Sequence, residues 1–232
     1  MKLIIALIAL IASIIFYGVF SEEIKKKPVL FYVGTFLLNA FVISYYLLGW
    51  NKLVPPWVTT NIMDLFQRGA FSTATFIIVM FLGAVIKHNN FTLKYLQIRG
   101  ELSIIGCLLA IEHNIIYGVV YIPALIFHPE SIRGPHLVSL IIIIILLIIM
   151  LPLFITSFRC VRNKMKPKSW KKLQRMAYPF YYLIYAHVMV LFLANPQKHI
   201  LDIVVYTSIY LIYTVVRLRK HIRNRRKIKN LN

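Results

Sequence analysis

The chain has 232 residues, 59% of them hydrophobic, with a mean hydropathy of +0.74. Several apolar runs reach about 18 residues or more, which excludes a soluble domain and indicates a polytopic, all-α membrane protein. The net charge of +20 does not point to nucleic acid, because the basic residues stand in loops and a tail between apolar runs, as topology signals do.

In chain order, the hydropathy pattern predicts seven spans, at about 3–20, 29–48, 70–86, 101–127, 136–158, 176–194 and 200–217. The first is read as a span and not as a signal peptide. Only Lys2 precedes it, and no A-x-A-like site stands before Ser21. The connections are short except for 49–69, where Pro55 and Pro56 break any helix. Within it, residues 60–67 are expected to form a short helix lying at the interface beside Trp57. The whole of 1–232 reads as one domain, closed by a basic tail at 218–232. Cys107 lies inside one apolar run and Cys160 at the end of another. With no CxxC or CxxCH, neither a disulfide framework, a zinc ribbon nor a c-type haem is supported.

Lys and Arg are divided unequally between the two alternating sets of segments. The set 21–28, 87–100, 159–175 and 217–232 carries 22, and the other set carries 5. That bias predicts an N-terminus outside and a C-terminus in the cytoplasm of a multi-pass cell-membrane protein. The final run RLRKHIRNRRKIK is expected to act as a retention signal that touches anionic lipid.

Against this background two histidines stand out. His113 falls about 12 residues into the fourth span and His187 about 11 into the sixth, at one depth on helices that run in the same direction. Buried titratable groups in lipid need a partner or a ligand. The pair suits the two axial ligands of a b-type haem, one imidazole to each face of the iron. Gly106, Ala110, His113 and Tyr117 share one helical face, as do Phe180, Ile184, His187 and Leu191. Gly106 would let a macrocycle approach the backbone. The plainer reading is that each histidine hydrogen-bonds across the bundle as packing. Glu112 needs a partner too, either a proton or a polar side chain on a neighbouring span. His88 and His221 read as solvated loop residues. His128, His136 and His199 fall at outer helix ends, where a shared metal is the sharp alternative to separate surface roles.

The segments IRGELSIIGCLLAIEHNIIYG around His113, LPLFITSF, and WKKLQRMAYPFYYLIYAH ending at His187 resemble the ferric reductase-like transmembrane domain family. That family includes the haem-binding membrane subunit of the methionine sulfoxide reductase system, iron reductases and NADPH oxidases. The resemblance covers roughly residues 68–194 and implies a six-helix core that moves electrons across a membrane through haem b. The family's second histidine pair is replaced here by Arg99 and Gln174, which implies a single haem. No nucleotide-binding domain follows the last span, so the expected electron donor is a separate flavoprotein, a bound FMN or FAD, or a quinone. Arg99, Trp170 and Arg175 are the candidates for holding that donor. The acceptor lies on the outer side and is not named by the sequence. A haem-free reading from a different class remains beside it, the substrate-binding component of a small-molecule transporter.

Overall fold

The computed structural model describes residues 3–86, 89–132 and 134–229. Among them every regular element is helical. The long apolar helices are α1 (Leu3–Val19), α3 (Pro28–Leu47), α6 (Ala70–Ala84), α8 (Arg99–Phe127), α9 (Gly134–Ser157), α12 (Ala177–Leu193) and α13 (Ile200–Lys229). Short helices link them: α2 (Ser21–Lys26), α4 (Pro56–Val58), α5 (Asp64–Gln67), α7 (Asn90–Gln97), α10 (Arg159–Arg162) and α11 (Pro167–Gln174).

Five helical stretches are long and apolar enough to cross a membrane, or six if a bent pair is one span, and the apolar stretch of α1 is shorter. The surface supports a lipid solvent. Leu30, Phe36, Ile148, Leu151 and Leu201 are each more than half exposed, and so continuous an apolar surface would aggregate in water.

Polar contacts show which helix ends lie together. Lys25 Nζ donates to Gln97 Oε1 across α2 and α7. Glu101, near the start of α8, accepts from Arg159 Nε at 3.0 Å. Trp170 Nε1 donates to the Thr156 carbonyl at the end of α9. Lys220 of α13 donates to the carbonyls of Gly83 and Val85, at 3.0 and 2.9 Å. These carbonyls are left open where α6 ends, so the lysine caps the helix. The four basic segments therefore share one end of the bundle. α8 and α12 both start there and run away from it.

One expectation is extended. The helix in the 49–69 connection begins before residue 60 and is buried in part. Pro56 to Gln67 form nearly continuous helix, with a π-helical turn at Thr59–Met63, bent by 41° against α6. Its C-terminal part, with Met63, Asp64 and Leu65, is buried. The bend falls at Gly69, whose φ of 66° is left-handed and needs glycine. At the start of the basic tail Lys220 caps α6, and just before it Arg217 lies over the Tyr178 ring. His221 is exposed but lies within helix α13 and not in a loop, whereas His88 lies outside the described residues.

Candidate functional site

His113 and His187 are each held by something the sequence did not reveal. Nδ1 of His113 lies 2.6 Å from the carbonyl oxygen of Gln67. A carbonyl can only accept, so Nδ1 carries the proton and Nε2 keeps its lone pair. Gln67 is the last residue of α5, where helix carbonyls lack an internal partner. The histidine supplies that partner. A Cβ on Gly69 would lie 3.3 Å from the same ring. Nδ1 of His187 lies 2.9 Å from Ser139 Oγ on α9. The hydroxyl can accept from an Nδ1–H, and in that tautomer Nε2 is open again.

Tyr117 follows His113 on the face expected of it, with ring centroids 4.9 Å apart. Tyr121 stacks on Tyr117 at 6.3 Å, and His136 of α9 lies 5.7 Å beyond Tyr121. Towards the basic end α8 and α12 are joined through residues of α6 and α9. Cys107 and Ala110 share an apolar cluster with Phe180, Ile184 and Met150. Phe76 of α6 bridges them, edge-on to Phe180 with centroids 5.1 Å apart. At Gly106 the close approach is made by α6. A Cβ there would stand 3.1 Å from Phe76 and from Thr75.

Arg99, Trp170 and Arg175 line one cavity of about 590 Å³ at the basic end, together with Gln174 and Tyr178. Arg99 Nε donates to the Val79 carbonyl at 3.0 Å. Gln174 Nε2 and Trp170 Nε1 are both tied to Thr156. Thr156 itself bonds back to the Pro152 carbonyl.

The remaining histidines do not gather. His128 faces Glu130, His199 bonds Asp202 and stacks on Phe192, and His136 neighbours Tyr121. Among the described residues no group of three or more His, Cys, Asp or Glu side chains is placed to hold a metal ion. A two-imidazole site lies below that number.

Glu112 is almost completely buried, and its Oε1 has no hydrogen-bond partner among the described residues. The polar neighbour expected on another span is present but does not bond it. Asn39 of α3 donates to the Leu108 carbonyl, one turn before Glu112, and leaves its own Oδ1 unpaired. The Tyr46 hydroxyl of α3 is likewise unpaired among the described residues.

No family model matches the chain, and no solved structure matches it. It is similar to a protein described as uncharacterized from Treponema pallidum (strain Nichols), with 29% identity over 225 residues. The match covers 95% of this chain and 62% of that protein. The chain therefore spans less than two thirds of the relative's length.

Proposed function

We propose that the protein is a ferric reductase-like membrane electron-transfer subunit that holds one b-type haem between His113 and His187. The observation that carries this reading is the fixing of both rings through Nδ1, by the Gln67 carbonyl and the Ser139 hydroxyl. Histidines that ligate metals commonly use their second nitrogen in this way, which sets the tautomer and turns Nε2 towards the metal. When bound, the haem would supply one-electron redox chemistry between a donor on one face of the membrane and an acceptor on the other.

The chain's own part is ligation, burial and orientation. His113 and His187 would supply the two Nε2 lone pairs. Tyr117 shields one ring on the side away from the basic end. The cluster around Phe76 and Phe180 excludes water on the other side. That cluster also supports a stoichiometry of one. It fills the space below the histidine pair, towards Arg99 and Gln174, and neither of these residues replaces imidazole as an iron ligand. A guanidinium has no lone pair to give.

In this reading the basic end faces the cytoplasm, seven spans cross the membrane, and the N-terminus lies outside. The donor, a flavin, flavoprotein or quinol, approaches at the cavity of Arg99, Trp170 and Arg175. From Arg99 to His113 the helix rises about 21 Å, so the donor must enter the cavity rather than touch its rim. The acceptor lies beyond the far end of the bundle.

One observation favours the haem-free transporter component instead. Asn39, Tyr46 and Glu112, on the packed helices α3 and α8, each keep a buried oxygen without a partner among the described residues, as acceptors lining a substrate path do. The absorbance spectrum of the dithionite-reduced protein separates the two readings. A b-type spectrum that disappears in His113→Ala and in His187→Ala, and survives in His136→Ala, is the expected result. A purified, folded protein with no such spectrum after haem supplementation would sink the electron-transfer reading.

A further inference from the structure

The cavity at the basic end has a charge balance that topology alone does not require. Arg99, Arg159, Arg162, Lys171 and Arg175 line it, and among the described residues Glu101 is the only acidic side chain on its wall. Glu101 is already bonded to Arg159. Among the described residues Arg162, Lys171 and Arg175 pair with no carboxylate. Cations that serve only as topology signals can spread into water and lower their mutual repulsion. Here five converge on one concavity from α8, α10, α11 and the α11–α12 junction.

The walls of that cavity are held in place. Trp170 is fixed by Thr156, and Arg162 lies over its ring at 5.8 Å. Arg99 is anchored at Nε to Val79, with its guanidinium against Gly83. The hydroxyls of Ser103 and Ser157 donate to carbonyls of their own helices and Gln174 donates to Thr156, so the donors that face the cavity are the cations and the Gln97 amide. Planar guanidinium forks match the oxygens of a phosphate group, and such pairs are roughly twice as strong as neutral hydrogen bonds. A volume of about 590 Å³ is within the range of small-molecule sites and exceeds what one inorganic phosphate needs.

We infer that this cavity is a phosphate-binding site that takes a molecule carrying one or two phosphate groups. Two sources share that chemistry, the headgroup of an anionic phospholipid and a soluble phosphorylated compound. The inference does not depend on a haem. Arg99, Arg162, Lys171 and Arg175 hold the phosphate oxygens, while Trp170 and Tyr178, each with one face under a guanidinium, supply apolar wall to whatever the phosphate carries.

The test uses the full chain, delipidated in neutral detergent, with inorganic phosphate and pyrophosphate titrated against chloride at matched ionic strength. Thermal unfolding and calorimetry are the readouts, and the haem spectrum is recorded in the same samples. Saturable binding of pyrophosphate is expected, about tenfold weaker when Arg175→Gln or Lys171→Gln removes one charge-assisted contact. Both side chains are exposed, so these variants should fold. Lys198→Gln, at the opposite end, should bind as the parent does. Repeating the titration in phosphatidylcholine nanodiscs with and without phosphatidylglycerol identifies the source. Competition by phosphatidylglycerol assigns the site to a lipid headgroup, and its absence assigns it to a soluble ligand. No saturable response beyond that of chloride in any of these media, or equal weakening by Lys198→Gln, overturns the inference. A protein that binds pyrophosphate but shows no haem spectrum keeps this site and loses the electron-transfer reading.

Discussion

His113 Nδ1 lies 2.6 Å from the carbonyl oxygen of Gln67, 46 positions earlier in the chain. The ring is therefore aimed by the end of a different helix, and the bend between α5 and α6 is part of the histidine's setting. A turn that reads as a connection in the sequence becomes a support for the candidate ligand.

Gly69 is where that support is most easily disturbed. Gly69→Ala places a Cβ in a left-handed backbone, at about 1–2 kcal/mol, and brings it 3.3 Å from the His113 ring. Gly49 also has positive φ, 76°, but nothing lies within 4 Å of its Cβ position. Thermal unfolding in detergent should show the larger loss for Gly69→Ala, with a disturbed haem spectrum in that variant alone. Equal losses in the two variants would mean that the ring contact carries no energy.

Ser139→Ala should leave the fold intact and loosen the candidate haem site. The hydroxyl it removes is the Nδ1 partner of His187, and loss of such a partner typically costs 10–100-fold in metal-site affinity. Haem transfer to apomyoglobin, followed by absorbance, measures the retention. Ser208→Ala, whose hydroxyl bonds only its own helix at the Val204 carbonyl, is the control expected to behave as the parent. Unaltered retention in Ser139→Ala would remove the serine from the ligand's support.

The Glu101–Arg159 pair joins α8 to the segment after α9, with Glu101 buried and Arg159 half-exposed. Arg159→Gln leaves a buried carboxylate without its cation and should cost about 1–3 kcal/mol. The Glu101→Gln, Arg159→Gln double variant should lose less than the sum of the two single changes. Chemical denaturation of the four proteins gives the coupling. Strict additivity would show that the ion pair contributes nothing beyond its separate side chains.

Orientation has its own test, because the 22-to-5 division of Lys and Arg makes opposite demands on the two ends of the bundle. A fluorescent reporter that folds in the cytoplasm should be active when fused after Asn232. A phosphatase reporter should be active when fused after Lys52. The reverse pattern would invert the membrane assignment and move the basic cavity to the outer face.

By itself the sequence determined the all-helical class and where the apolar helices lie, while five of them, or six with the bent pair, are long and apolar enough to cross a membrane. Hydropathy and helical period are local quantities, and the expected spans agree with the helices to within a few residues, except in the helix through 200–217, which continues to Lys229. It also singled out His113 and His187, since an imidazole inside an apolar run is conspicuous without any contact information. It placed Arg99, Trp170 and Arg175 near one another because loop alternation assigns each to the same end, and they line one cavity. Partners were beyond its reach. Gln67 acts through a backbone carbonyl that every residue possesses, so no side chain announces it. Ser139 is one small polar residue in the helix that begins at Gly134, and only the packing of α9 against α12 gives it a role. Gly106 read as room for a ligand, yet Phe76 and Thr75 come from α6 to fill it. Pairwise approach between distant segments depends on how whole helices tilt and bend, and tertiary structure alone decides that.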